Sequence, residues 1–286
     1  MSVVVTGATG HLGRLTVEAL LRRGVPASDI IATGRNVTGI KDLAERGVVV
    51  RQADFADPSS LAAAFAGADK LLLISASIPV DERVANHRRA IDAALAAGVS
   101  LVAYTSTLQA DTVATVIGVT HRATEEYLRE RRVPSVLLRN GWYLENYTGQ
   151  LPLILQSGAV IGAAGQGRIS AASRADYAEA AAVVLTTEGH TGAMYELGGD
   201  EAFTLAELAA VISAAAGKQI AYTDLPVQEL AQVLAGAGLP AALAADLADA
   251  DLGLSRGELF TASSDLCRLI GRPTTPLADA VADALR

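Results

Sequence analysis

Short apolar runs alternate with helix-period stretches through the first half of the chain. Val3–Thr6, Ile30–Thr33, Val48–Arg51, Leu71–Ser75, Leu101–Thr105 and Ser135–Leu138 are brief and rich in Val, Leu and Ile, as strands covered on both faces should be. Between them apolar residues recur at three- and four-residue spacing, which predicts helices near 12–23, 39–46, 59–66, 84–97 and 120–131. Gly24, Gly47, Gly67 and Gly98 stand where helices should stop. This alternation predicts an α/β fold, a Rossmann doubly wound parallel sheet with right-handed crossovers. Beyond Tyr147 it weakens. Gly158, Gly162, Gly165 and Gly167 predict a loop, Ala178–Leu185 a helix and Ala193–Leu197 a strand, and helices follow to the C-terminus. Thr204 with Glu207 three residues on has the spacing of a capping box. The expected division is residues 1–147 as the dinucleotide-binding domain, with 178–197 free to return to it. Residues 148–286 form a smaller, mostly helical region that covers the substrate.

Ligands of such sheets bind at the carboxyl ends of the strands, where strand order reverses. The residues just past each strand are therefore the candidates: Gly7–Gly13, Gly34–Asn36, Ala53–Phe55, Ser75–Ser77, Thr105–Thr107 and Arg139–Asn146. The first is the most telling. In Gly7-Ala8-Thr9-Gly10-His11-Leu12-Gly13 a β-branched strand passes into a glycine-spaced turn, and Leu15, Val17, Leu20 and Leu21 then continue with helical period. Glycines at 7, 10 and 13 allow a tight turn, close approach to a pyrophosphate and packing of helix on strand, while the helix N-terminus offers N–H groups to anions. The Gly-x-x-Gly-x-x-Gly spacing departs from the commoner Gly-x-Gly-x-x-Gly, and a plain strand-to-helix turn is the competing reading.

After the second strand, Ala32-Thr33-Gly34-Arg35-Asn36 lacks the carboxylate that would accept a ribose 2′-hydroxyl. Arg35 can instead pair with a 2′-phosphate and stack on adenine, which favours NADPH over NADH. Asp54-Phe55 either flanks the adenine or opens a helix near Asp57-Pro58, where Asp57 suits the N-cap and Pro58 the first helical position. Small residues at Ser75, Ala76 and Ser77 let the backbone pass beside the ribose and nicotinamide.

Composition narrows the partners. With 286 residues and 51% of them apolar, the chain can bury a large core. A net charge of −8, dispersed rather than blocked, gives no electrostatic footprint for nucleic acid or anionic lipid. The single Cys267 rules out an internal disulfide framework and a cysteine metal cluster, and it fits a reducing compartment. Pro240, Asp246, Asp249 and Asp251 break the apolar stretch Leu230–Leu254, leaving no run of about 20 residues to span a membrane. The first strand opens at Ser2 with no basic leader before it, so the expectation is a cytoplasmic protein with a small-molecule partner, a homodimer being left open.

Several of these segments together resemble one family. The glycine turn, Gly34-Arg35-Asn36, Leu73-Ile74-Ser75, Tyr104-Thr105-Ser106 and above all Leu138-Arg139-Asn140-Gly141-Trp142-Tyr143-Leu144-Glu145-Asn146-Tyr147 are similar to the NmrA-like branch of the atypical short-chain dehydrogenases. Ile161-Gly162-Ala163-Ala164-Gly165 and Arg174-Ala175-Asp176-Tyr177 extend the similarity. The resemblance implies that Gly7 to Leu12, Arg35, Ser75 to Ser77 and Gly141 to Asn146 line an NADPH site. It makes Trp142 and Tyr143 a wall beside the nicotinamide and flat contacts for a substrate ring. The alternative for both is an apolar seam between the two regions.

The wider superfamily uses Tyr-x-x-x-Lys as its acid, and the corresponding place here reads His121-Arg122-Ala123-Thr124-Glu125. Losing the phenol suits a substrate that accepts hydride without a dedicated strong acid, such as a quinone, whose hydroquinone anion is met by hydrogen-bond donors and protonated from water. The expected activity is thus NADPH-dependent quinone reduction by direct hydride transfer, with no flavin and no metal, and with Asn146 and His11 as catalytic hydrogen-bonding candidates. His121 and Glu125, one turn apart, read either as a proton relay or as a solvated helix face. The competing function is a non-catalytic NADP(H)-binding redox sensor, which an intact phosphate turn serves equally well.

Overall fold

The computed structural model describes residues 1–76 and 80–286, so Ser77 lies outside the described residues. In chain order the elements are β1 (Val3–Val5), α1 (His11–Arg22), β2 (Ile30–Gly34), α2 (Lys41–Glu45), β3 (Val49–Gln52), α3 (Pro58–Phe65), β4 (Lys70–Leu73), α4 (Val80–Ala96), β5 (Leu101–Thr107), α5 (Val116–Glu130) and β6 (Ser135–Asn140). They continue as α6 (Glu145–Thr148), α7 (Leu151–Ser157), β7 (Ala159–Gly162), α8 (Arg174–Thr186), β8 (Met194–Leu197), α9 (Leu205–Ala216), β9 (Ala221–Asp224), α10 (Val227–Gly236), α11 (Ala241–Ser255), α12 (Asp265–Ile270) and α13 (Leu277–Ala284). Two compact units result. One comprises Met1–Ser106, Thr120–Arg139 and Arg174–Tyr195, the other Thr107–Val119, Asn140–Ser173 and Glu196–Arg286.

The first unit is built on a sheet of order β3-β2-β1-β4-β5-β6-β8. Strand order reverses between β1 and β4, and β2 and β4 flank β1 in parallel register, Val3 opposite Ile30 on one side and Lys70 on the other. This is the doubly wound arrangement the alternation predicts, and sheets of this kind bind ligands at the carboxyl ends of the strands beside the reversal. All three residues of β1 are buried, because helices cover both faces. On one face Val4, Ile31, Leu71 and Leu73 pack with Phe65 of α3 and Ile91 of α4. On the other, α1 lies along α8, whose Ala178, Ala180, Ala181 and Ala182 are buried. Side chains this small let two helix backbones approach closely, which gives the alanine-rich composition a structural use.

The second unit has its own core, in which Leu144, Tyr147, Ile154, Val160, Leu205, Leu208 and Leu254 are buried together. The capping box forms: Glu207 N–H donates to Thr204 Oγ1 at 3.1 Å and Thr204 N–H to Glu207 Oε2 at 2.7 Å. Here the structure corrects the expected loop at Gly158–Gly167, since Ala159–Gly162 forms β7 and pairs in parallel with β9, Val160 opposite Tyr222. The turn after β7 is held by side chains. Ala163 N–H donates to Asp251 Oδ2 at 2.9 Å, Ala164 N–H to the Tyr222 hydroxyl at 3.1 Å, and Gly165 N–H to Asp224 Oδ1 at 2.9 Å. Tyr222 in turn donates to Asp224 at 2.5 Å. Burial raises the Asp251 carboxyl to about 6.

Smaller corrections concern element ends. The helix expected at 39–46 is a 3-10 turn over Val37–Ile40 followed by the five-residue α2, because Asn36 takes the Thr38 amide in its side chain. β4 ends at Leu73 rather than Ser75, while β5 and β6 run on to Thr107 and Asn140.

Candidate functional site

The turn after β1 has the shape its glycines imply. Gly7 adopts φ +61°, and Gly10 N–H closes the turn on Gly7 O at 2.9 Å. A Cβ on Gly13 would sit 2.7 Å from Gly7 C and 2.8 Å from Ala8 Cα, so only glycine lets α1 pack this closely on the turn. At Gly10 the requirement differs, since a Cβ there would meet only Gly7 O at 3.4 Å. Gly10 is the N-cap of α1, makes no side-chain cap and is followed by no acid in the first turn. The first-turn amides and the positive end of the helix dipole are thus left for an anion. Gly7, Thr9's neighbour Gly10 and His11 are exposed, whereas Ala8, Leu12 and Gly13 are buried and serve as the turn's foundation.

Ala8 N–H donates to Thr33 O at 2.8 Å, which ties this turn to the end of β2. A Cβ on Gly34 would lie 2.7 Å from Thr9 Cγ2, so a larger residue there would push that exposed side chain aside. Arg35 follows, exposed, where a 2′-phosphate on a bound adenosine would need a cation. Asp54 serves the local turn: its Oδ1 accepts Ala56 N–H at 2.9 Å and its own amide donates to Ser60 Oγ at 2.9 Å. Asp57 caps α3 through Ser59 N–H at 2.9 Å, with Pro58 as the first helical residue.

At the end of β4 the backbone leaves the sheet under side-chain control. Ile74 N–H donates to Thr6 Oγ1 at 2.8 Å, Ser75 N–H to Thr105 Oγ1 at 2.9 Å, and Ala76 N–H to His87 Nε2 at 3.1 Å. Arg83 Nε donates to Ala76 O at 3.1 Å. Since the Ala76 amide can only donate, His87 Nε2 is unprotonated and Nδ1 carries the hydrogen, which reaches Thr124 Oγ1 at 3.0 Å. The Tyr104 hydroxyl sits 3.5 Å from His87 Nδ1 and 2.8 Å from His121 Nδ1. Both imidazoles are neutral: burial, with Arg83 nearby, lowers His87 to about 3 and pushes His121 well below its ordinary value. Burial also raises the Tyr104 phenol.

The structure replaces both readings of His121 and Glu125. Neither residue is solvated, at 7% and 3% exposure, and the two turn to different partners. His121 faces Tyr104, whereas Glu125 accepts Ser106 Oγ–H at 2.5 Å and takes Arg139 in a two-pronged pair, Nε at 3.0 Å and Nη2 at 2.7 Å. Arg83 and His87 escaped the sequence reading, and Tyr104 entered it only within the family resemblance. One signal was present: in α4, residues 83, 86, 87, 90, 91 and 94 form a single helical stripe, polar at its start and apolar at its end, and all six are buried.

In the second unit, Gly141 N–H donates to Leu197 O at 2.7 Å, and Trp142 O and Leu144 N–H bridge Ala172 at 3.1 and 3.0 Å. Trp142 and Tyr143 are half-buried, as are Glu145 and Asn146, while Leu144 is fully buried in that unit's core and supports the segment from behind. Trp142 packs against the same core. Asn146 O accepts from Gln150 Nε2 at 2.6 Å.

Residues 1–254 match the model of the NmrA-like family. The chain belongs to that family. It is 48% identical to quinone oxidoreductase 2 of Escherichia coli (strain K12) over 279 residues, 98% of this chain and 97% of the relative. The crystal structure of the E. coli NADPH-dependent quinone oxidoreductase complexed with NADPH superposes with a TM-score of 0.95 at 48% identity, covering 99% of this chain and 100% of that one. The Citrobacter sp. triphenylmethane reductase complexed with NADP(H) superposes with a TM-score of 0.93 at 38% identity, covering 99% and 100%. The glycine turn and the β4 exit sit at the strand-order reversal. Among the described residues no helix is long and apolar enough to cross a membrane.

Proposed function

We propose that this NmrA-like protein is an NADPH-dependent quinone reductase that transfers hydride directly, without flavin or metal. The observation that carries the reading is similarity along nearly the whole chain, 48% identity and a TM-score of 0.95, to a quinone oxidoreductase whose crystal structure holds NADPH. The residues fit that dinucleotide. Gly7 to Gly13 offer uncapped amides to the diphosphate, with no acid in the first helical turn to repel it. Arg35 stands ready for the 2′-phosphate, and no carboxylate follows β2 to favour the unphosphorylated cofactor.

When bound, reduced nicotinamide supplies a hydride to the quinone, and a proton from water completes the hydroquinone. The chain's own part is to hold the reactants in register and to meet the developing oxyanion with donors. Ser75 and Ala76 border the nicotinamide end, Trp142 and Tyr143 give flat apolar contact to the quinone ring, and Asn146 and His11 hydrogen-bond the amide or the quinone oxygen. Glu145, Gly141 and Leu144 shape the segment that carries Trp142, Tyr143 and Asn146.

The test is steady-state NADPH oxidation by flavin-free, chelator-treated protein with benzoquinone and naphthoquinone acceptors. Quinone-dependent turnover is expected. Tight NADP(H) binding in calorimetry with no turnover across several quinones would reject the enzyme and leave a dinucleotide sensor.

A further inference from the structure

Past Leu73 the backbone of β4 no longer pairs as a strand, yet its next three amides are each held by a side chain from a different element: Thr6 of the β1 end, Thr105 of β5 and His87 of α4. The Ala76 carbonyl is gripped as well, by Arg83. A buried arginine and a buried histidine are costly ways to fill space, since each must be fully partnered to offset its desolvation. Their cost falls in one place. In α4 the buried polar residues Arg83, Asn86 and His87 precede the buried apolar Ala90, Ile91 and Ala94, and in α5 Thr120, His121, Thr124 and Glu125 precede Leu128. Both helices follow strands of the parallel sheet, so their early turns lie toward the carboxyl edge. A stripe serving stability alone would be apolar throughout.

We propose that His87 and Arg83 are positioning residues that set the backbone of Ser75 and Ala76 for the nicotinamide end of the bound dinucleotide, with Tyr104 and His121 bracing the imidazole from behind. The hydrogen bonds through His87 run in one direction. The Ala76 amide donates to His87 Nε2, the His87 Nδ1 hydrogen points to Thr124 and Tyr104, and the Tyr104 hydroxyl completes the run to His121 Nδ1. The His87 imidazole is therefore fixed in one tautomer, and its ring cannot turn without breaking two bonds. The inference rests on the proposed function in that Ser75 and Ala76 are taken as neighbours of the cofactor.

The experiment compares His87→Leu, which removes the acceptor for the Ala76 amide, with His87→Gln, whose Oε1 restores one. NADPH is titrated calorimetrically for affinity and stoichiometry, the fluorescence of the bound nicotinamide is recorded, and kcat is measured with naphthoquinone. In His87→Leu, kcat per binding site should fall on the order of tenfold, because small misplacement of a reactant is costly. NADPH affinity should change less than about threefold, since the diphosphate and 2′-phosphate contacts remain. His87→Gln should recover most of kcat and the wild-type nicotinamide fluorescence. Hydrogen exchange at the Ala76 amide should speed up in His87→Leu and return to the slow rate in His87→Gln. A His87→Leu protein with wild-type fluorescence, or a His87→Gln protein no better than His87→Leu, overturns the positioning role while NADPH binding stands. A wild-type protein that does not bind NADPH overturns the cofactor reading itself.

Discussion

Replacing Asp251 by Asn should stabilise the protein at neutral pH, and the gain should shrink as the pH falls. Asp251 Oδ2 holds the Ala163 amide from a largely buried position, and burial raises its carboxyl from 3.8 to about 6. The folded state therefore binds the proton more tightly than the unfolded state does. Stability is lost as the pH rises through the window from about 4 to about 6, because ionised Asp251 is tolerated better in the unfolded chain. A shift of roughly two units corresponds to a ceiling of about 3 kcal/mol, and partial access of solvent to the carboxylate brings the expectation to about 1–2 kcal/mol. Asn keeps an acceptor for the amide and carries no charge. At pH 7.5 the variant should melt about 2–6 °C higher than the wild type. At pH 4.5 the advantage should drop to about a third of that value. The assay is paired thermal denaturation across this range, reading the difference between the two proteins so that other carboxylates cancel. Equal melting temperatures at pH 7.5, or an advantage that grows on acidification, would refute the reasoning.

Two further outcomes follow from the first unit. Arg35→Ala should weaken NADPH binding about 10- to 100-fold in calorimetry, the worth of a charge-assisted pair, and leave NADH affinity nearly unchanged. Glu125→Ala removes the carboxylate facing Arg139 at under 5% exposure and should cost about 3–5 kcal/mol in denaturant unfolding, with Glu125→Gln intermediate.

The sheet was legible because its signals are local. Runs such as Val3–Val5 and Leu101–Tyr104 are apolar on both faces only when helices cover both, and Thr204 and Glu207 satisfy each other within one turn. The pairing of β7 with β9 was not legible, since four-residue strands separated by about 60 residues carry no pattern of their own. The geometry of the glycine turn was visible in the spacing, but the close approach of Gly34 to the Thr9 side chain was not, because Thr9 follows the neighbouring strand. His121 and Glu125 show the limit most clearly. Helical spacing correctly puts them on one face, yet their partners, Tyr104 for one and Ser106 with Arg139 for the other, come from strands distant in sequence. His87 was missed for the same reason: the helical stripe gives it a face, but its partners Ala76, Thr124 and Tyr104 come from other elements.

The way the chain leaves β4 bears on how such a protein can change. Ladder bonds between strands are made by the main chain and survive nearly any substitution, whereas Thr6, Thr105, His87 and Arg83 are each one codon away from releasing Ile74, Ser75 or Ala76. A scaffold whose pairing is fixed but whose rim is tethered residue by residue can drift toward new acceptors in small steps, re-aiming one peptide at a time while the sheet beneath stays as it was.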